Sequence, residues 1–325
     1  MLLTDLLGPV HARVTSLPAA GVDVRDLAYD SRAVGAGTLF LCVPGQRSDG
    51  HDHAAAAVAA GACALVVERE LPLDVPQAVV GSTRAAMGPI ADAFFGHPSQ
   101  ELAVLGVTGT NGKTTTAFLQ HAVMTAAGRP CGLLGTVGRR IGGVAEPAVR
   151  TTAEAVDLHR DLRRMADAGD TACAMEVSSH ALDQERVGGV RFAAAAFTNL
   201  TQDHLDYHGG MEEYFAAKAR LFDGRCPTAA NADDPYGRRL RADLRFAVDE
   251  PGARHGAACT AAAGRRPSAL RLRLRRRPRP RQAAADGGGR RRARRPRHRH
   301  DRQPAQRGPA RDHRRGAGRR RAGGG

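Results

Sequence analysis

The run Thr108-Gly109-Thr110-Asn111-Gly112-Lys113-Thr114-Thr115-Thr116 follows an apolar stretch, Leu102 to Val107, and precedes a helical pattern from Ala117 to Ala127. Its glycines let the backbone curl so that amides and a helix N-terminus aim at phosphate oxygens. Lys113 adds a cation for the outer phosphates and Thr114 a hydroxyl for magnesium. The general pattern G-x-x-x-x-G-K-[ST] would place glycine at 107, where this chain has Val107. The tighter form G-T-N-G-K-T-T is a variant of the same loop, so ATP is the expected ligand of Gly109, Thr110, Asn111, Gly112, Lys113, Thr114 and Thr115. Arginine supplies 46 of the 48 basic residues, which makes each of the two lysines, Lys113 and Lys218, a position where an amine rather than mere charge is needed. Glu176, in Thr171-Ala-Cys-Ala-Met-Glu-Val-Ser-Ser-His180, closes another apolar run, and His204 lies in the polar cluster Thr198 to His208 that closes the next. A carboxylate and a histidine converging on phosphates suit magnesium, which prefers oxygen ligands. Taken singly, a strand-end glutamate is commonly a helix cap and an Asp-His pair commonly turn chemistry. Lys218, on the helical pattern Met211 to Phe222, could equally be a surface residue, and spacing alone gives it no role.

These residues need elements that bring them to one place. The runs Thr38 to Val43, Ala64 to Val67, Leu102 to Val107, Gly132 to Val137, Thr171 to Val177, Phe192 to Thr198 and Pro227 to Asn231 read as strands separated by segments long enough for crossover helices. That rhythm predicts an α/β fold with a mostly parallel sheet and buried strands, whose carboxyl ends share one ligand-binding edge. Phe94 to Gln100, with Gly96 and Pro98, reads as a joint, giving a first domain over 1–97, a second over 98–250 and a tail over 251–325.

The formal charge of +15 suggests a nucleic-acid binder until it is divided along the chain. Residues 1–250 hold 23 Lys plus Arg against 30 Asp plus Glu, a net of −7, whereas 251–325 hold 25 Arg against 3 acidic residues, a net of +22. The tail lacks Val, Ile, Met, Phe, Tyr and Trp, so its composition predicts disorder. Out-of-frame translation of a GC-rich gene accounts for that composition better than a linker or a basic arm, which would interleave aromatics. No stretch approaches the roughly 20 apolar residues of a membrane span. Asp5 stands where a signal peptide would be positive, and the six cysteines are scattered. A cytoplasmic protein with reduced thiols and no membrane partner is expected.

The ordered set of the loop Gly109 to Thr115, the run Glu176-Val-Ser-Ser-His180, the cluster Thr198 to His208, the helix Glu213 to Phe222 and the turn Asn231-Ala-Asp-Asp-Pro235 resembles the Mur ligases over residues 20–250. The resemblance is strongest to the members that add the third residue of the peptidoglycan stem peptide. It implies an ATP-dependent ligase with a UDP-binding N-terminal domain and a phosphate-loop central domain on a parallel sheet. Lys218 would be carbamylated and, with Thr114, Glu176 and His204, hold magnesium; only a neutral amine can be carboxylated, so arginine would not serve. Lys113, Glu176, His204 and Lys218 would form the catalytic set, and Asn231 and Asp234 would contact adenosine. Tyr29, Ser31, Gln46, Arg47 and Ser48 would bind the uridine diphosphate. Thr151, Thr152, Ser178, Gln184 and Arg186 would contact the sugar and peptide. Some relatives carry Asn just before Thr151, where this chain has Arg150.

The implied substrates are UDP-N-acetylmuramoyl-L-alanyl-D-glutamate and a diamino acid. The GC-rich codon usage behind the arginine bias favours meso-diaminopimelate over L-lysine, and a monomer is expected. Family members carry a further C-terminal domain that binds the amino acid; the arginine-rich segment stands there instead, so the chain as written is expected not to complete the ligation. Folylpolyglutamate and cyanophycin synthetases share the phosphate loop and are the alternative within the enzymes. A nucleic-acid-binding NTPase using the tail is the alternative outside them, although no specific nucleic-acid partner is expected.

Overall fold

The computed structural model describes residues 1–16, 18–45 and 48–249. Gln46, Arg47 and the tail over 251–325 lie outside the described residues.

Two sheets carry the chain. The first has the order β1-β5-β4-β3-β2, built from β1 (Arg13–Thr15), β2 (Asp26–Ala28), β3 (Thr38–Leu41), β4 (Ala62–Val67) and β5 (Gln77–Val79). Strands β2 to β5 pair in parallel and β1 closes the edge antiparallel to β5. Helices α1 (Leu3–Leu7), α2 (Ala54–Ala59) and α3 (Thr83–Phe94) accompany it, with 3-10 turns at Ser31–Ala33 and Gly50–His53.

The second sheet has the order β12-β11-β6-β10-β7-β8-β9, from β6 (Ala103–Thr108), β7 (Cys131–Gly135), β8 (Gly138–Ile141), β9 (Val144–Glu146), β10 (Ala172–Glu176), β11 (Phe192–Phe197) and β12 (Thr228–Ala230). Five of its strands, β12 to β7 in that order, run parallel, and β7-β8-β9 turn back as an antiparallel meander. Its helices are α4 (Pro98–Glu101), α5 (Lys113–Ala126), α6 (Ala155–Asp167), α7 (Ser179–Asp183), α8 (Leu205–His208), α9 (Met211–Ala219) and α10 (Pro235–Asp249). No helix among the described residues is long and apolar enough to cross a membrane.

The seven expected strands are present, with ends displaced by up to two residues in either direction. The strand expected to reach Val137 stops at Gly135, and Val137 is an exposed turn residue leading into the hairpin. Helix α5 begins at Lys113, earlier than the expected Ala117, because Gly112 in the left-handed region lets the loop enter the helix directly. The helix expected to reach Phe222 ends at Ala219, after which Leu221 and Phe222 turn into the core as loop residues.

Helix α6 ties the sheets together. Its buried positions Ala155, Val156, Leu158, Leu162 and Met165 follow helical spacing. Ala155 and Val156 join the core of the first sheet with Met87, Ile90 and Ala91 of α3. Leu158, Leu162 and Met165 face the core of the second, with Met175, Phe197, Tyr214 and Phe215.

Candidate active site

Parallel register decides which residues meet. Glu176 at the end of β10 pairs with Val107 of β6, and Phe197 of β11 pairs with Thr108, so the phosphate loop, Glu176 and the Thr198 cluster leave the sheet at one edge. There Thr110, Asn111, Gly112, Lys113, Thr114, Thr151, Glu176, Ser178, His204 and Lys218 line one cavity of about 300 Å³ with Thr136, Ser179 and Tyr214.

Within it, Lys113 Nζ donates to the carbonyls of Gly109 (3.0 Å) and Thr110 (2.9 Å). Lys218 Nζ, from α9, donates to the same Gly109 carbonyl at 2.9 Å. Both lysines of the chain therefore converge on one carbonyl oxygen. Burial lowers the pKa of Lys113. It brings Lys218 down to about 7, with Lys113 adding to the effect and Asp203 opposing it. Lys218 Nζ also lies 4.5 Å from the centre of the Tyr214 ring.

Glu176 is 1% exposed and fully engaged. Its Oε2 accepts from the hydroxyls of Thr114 (2.9 Å) and Thr136 (3.2 Å), and Oε1 accepts from the Thr136 amide (2.9 Å). Gly135 makes this possible: a Cβ there would fall 2.3 Å from Glu176 Oε1. Oxygen donors dominate the set, and among the described residues no group of three or more His, Cys, Asp or Glu side chains is placed so that it could hold a metal ion by itself. One carboxylate, hydroxyls and space for phosphates fit magnesium, which retains waters and takes few protein ligands. His204, in the left-handed region (φ 52°), has its ring edge-on to His180 with centroids 4.9 Å apart.

The loop is braced by the segment after β11. The Thr198 hydroxyl donates to the Asn111 carbonyl (2.7 Å), and Asn199 Oδ1 accepts from the Asn111 amide (3.0 Å). Thr110 Oγ1 donates to the Thr201 carbonyl and accepts from its amide. Asn231 and Asp234 support this segment rather than the cavity: Asn231 Nδ2 donates to the Thr198 carbonyl (2.9 Å), and Asp234 Oδ2 accepts from the Leu200 amide (3.3 Å).

Beside the cavity, the Thr152 hydroxyl donates to the Glu176 carbonyl (2.9 Å) and accepts from the Ser178 amide (3.1 Å). Arg186 donates to the Thr152 carbonyl (3.2 Å) and to Gln184 Oε1 (2.6 Å). Burial lowers its pKa; Glu154 opposes this and Arg150 and Arg84 add to it. Tyr29, Ser31 and Ser48, of the first sheet, are not among the residues that line the cavity. The Tyr29 hydroxyl donates to Asp157 on α6 (2.5 Å), Ser31 opens a 3-10 turn, and Ser48 Oγ is 2.8 Å from His53 Nε2. Gly109 contributes its carbonyl beneath the lysines, and Thr115 is exposed on α5. Thr136, Ser179 and Tyr214 are the lining residues that the sequence did not single out for the site. The signal for Thr136 was a hydroxyl immediately after a strand of the same parallel set.

Residues 23–110 match the Mur ligase family, catalytic domain, and residues 107–252 match the Mur ligase middle domain. This chain belongs to the Mur ligase family. A Mur ligase of Geobacillus thermodenitrificans, UDP-N-acetylmuramoyl-L-alanyl-D-glutamate--2,6-diaminopimelate ligase, is 52% identical over 222 residues, covering 66% of this chain and 45% of that protein. The same-named protein of Geobacter metallireducens is 47% identical over 249 residues, 71% of this chain and 48% of its own. A solved structure of an enzyme of that name superposes with a TM-score of 0.63 at 28% identity, covering 76% of this chain and 50% of the other. The chain spans about half the length of the curated Mur ligases it matches.

Proposed function

We propose that this Mur ligase chain binds ATP, magnesium and UDP-N-acetylmuramoyl-L-alanyl-D-glutamate and serves the ATP-dependent addition of meso-diaminopimelate to that dipeptide in the cytoplasm, as a monomer. The observation that carries the reading is the convergence of Lys113, Thr114, Glu176, His204 and Lys218 on one cavity at the carboxyl edge of a parallel sheet. In the reaction a carboxylate oxygen attacks the γ-phosphorus of ATP, the bond to the bridging oxygen breaks and ADP leaves. The amine of the incoming amino acid then displaces phosphate from the acyl phosphate, losing a proton as the amide forms. The protein's part is to hold two anions together and neutralise them.

Lys113 leaves its carbonyl partners to bind the outer phosphates. Thr114, Glu176, His204 and the carbamate of Lys218 would hold magnesium, which neutralises phosphate charge when bound. The amine of Lys218, brought down to about 7, is available in its neutral form for carbamylation near neutral pH. Gly109 to Thr115 cradle the phosphates, and Asn231 and Asp234 shape the adenosine side through the Thr198 segment they brace. The first sheet, over 1–97, offers Tyr29, Ser31, Gln46, Arg47 and Ser48 to the uridine diphosphate. The second, over 98–250, offers Thr151, Thr152, Ser178, Gln184 and Arg186 to the sugar and peptide.

Calorimetric titration of the purified chain tests this. ADP and UDP-N-acetylmuramoyl-L-alanyl-D-glutamate should each bind, and Lys113→Met should weaken ADP by about tenfold or more while leaving the muramoyl ligand in place. Binding of ADP with none of the muramoyl dipeptide would overturn the assignment.

A further inference from the structure

Glu154 stands at the N-cap of α6, yet its side chain caps nothing. Its carboxylate, 7% exposed, is met by three guanidinium groups from three segments. Oε1 pairs with Arg150 and lies 3.1 Å from Arg186 Nε, an ion pair without an aligned hydrogen bond; Oε2 lies 3.5 Å from Arg84 Nη1. Arg84 comes from α3 on the first sheet, Arg150 from the loop before α6, and Arg186 from the loop after α7. Three positive groups face one negative group, so the cluster keeps a net charge of about two. The cluster of Arg139 and Arg164 is differently composed, with two acidic partners, Glu146 and Asp161, and is balanced. Packing guanidinium groups together without counter-charge costs free energy unless an anion completes the group.

Position says which anion. Arg186 donates to the carbonyl of Thr152, whose neighbours Thr151 and Ser178 line the phosphate-loop cavity. Arg84 and Arg150 have side chains 26% and 48% exposed, open enough to take a ligand, whereas Arg186 is fixed by Thr152, Gln184 and Glu154. The cluster therefore reaches from α3 of the first sheet to the segment beside Thr151 and Ser178 at the cavity.

We propose that Arg84 and Arg150 are further substrate-binding residues, seating the carboxylate of the acyl donor, the muramoyl dipeptide, that the reaction leaves untouched, and that Glu154 is the positioning residue that gathers them beside Arg186. The assignment rests on the proposed muramoyl-dipeptide substrate and extends it. A planar guanidinium fork matches a carboxylate, and holding one carboxylate aside leaves the other to reach the phosphate.

The test compares three ligands on the full chain: UDP-N-acetylmuramoyl-L-alanyl-D-glutamate, UDP-N-acetylmuramoyl-L-alanine, which lacks the glutamate carboxylates, and ADP. In the wild type the glutamyl ligand should bind more tightly than the alanyl one. Arg84→Gln, Arg150→Gln and Glu154→Gln should each reduce that ratio by about tenfold, with ADP and alanyl affinities unchanged, which no general loosening of the fold would produce. Should Glu154→Gln lose ADP binding through misfolding, the two arginine variants, at partly exposed side chains, decide the seat by themselves. Equal weakening of both UDP ligands would make the diphosphate the occupant and overturn the proposal, as would an unchanged ratio in the arginine variants. A ratio that rises in Glu154→Gln would overturn the positioning role. A wild type that binds ADP and neither UDP ligand would overturn the proposed function itself, a result separate from the loss of discrimination.

Discussion

Lys218 is the residue at which burial and charge oppose each other most openly. It is 1% exposed, its ammonium has one carbonyl and one aromatic face for company, and Lys113 shares that carbonyl. The Tyr214 ring favours the charged form, but desolvation dominates and brings the pKa to about 7 from 10.5. Because the folded value lies below the unfolded one, the unfolded chain binds more protons between these two values, and stability rises with pH across that window. The cost of charging the buried amine is complete below about pH 7 and gone above the unfolded value. Denaturant unfolding of the wild type and of Lys218→Met in CO₂-free buffer isolates this effect together with its coupling to Lys113, since groups remote from the pair cancel. The wild type should gain on the order of 3 kcal/mol relative to the methionine variant between pH 7 and 10. A gap independent of pH would show that Lys218 does not titrate in that window.

At the level of elements, the contact between α3 and the loop after α7 is backbone against backbone. A Cβ on Gly88 would lie 2.4 Å from the Gly188 carbonyl oxygen and 2.5 Å from its carbon, and the same oxygen is 2.9 Å from Nε2 of the buried His159 ring on α6. Alanine within a helix ordinarily gains about 1 kcal/mol over glycine. Here the clash is with atoms that cannot rotate aside, so Gly88→Ala should instead cost about 2 kcal/mol net, read as a lower melting temperature. A variant as stable as the wild type would contradict this packing.

Such contacts explain what the sequence could and could not reveal. The runs of β3, β4, β7 and β10 were legible because a parallel strand buried on both faces must be apolar throughout. Strands β1, β2, β5 and β9 have three residues each, and β8 is the polar run Gly-Arg-Arg-Ile with a single buried residue, so they lack that signature. The phosphate loop was legible because its chemistry is local. Thr136 was not, because its bond to Glu176 depends on β7 lying next to β10, which is a matter of strand order. Glu154, Arg84 and Arg150 were hidden for the same reason, since Arg84 and Glu154 are 70 residues apart in sequence.

For the whole molecule, α6 makes the two sheets a single thermodynamic object. Its first turn is part of the first core and the rest of its apolar face is part of the second, so neither core can open without exposing the other. Polar bonds repeat the link: Tyr29 to Asp157, and Arg160 to the Leu27 carbonyl (3.1 Å) and to Asp26 (3.3 Å). The chain contains no tryptophan, so one introduced tryptophan reports on one place. Phe95→Trp, half-buried against the first core, and Phe192→Trp, half-buried against the second, should give coincident urea midpoints, the mark of one cooperative transition. ADP touches only the second sheet in the proposed function, yet at about 100 times its Kd it should stabilise both probes alike, by about 2.7 kcal/mol. If the Phe95→Trp signal unfolded first and ignored ADP, the α6 packing would be too weak to couple the sheets. A substrate spanning them would then have to supply that coupling on binding.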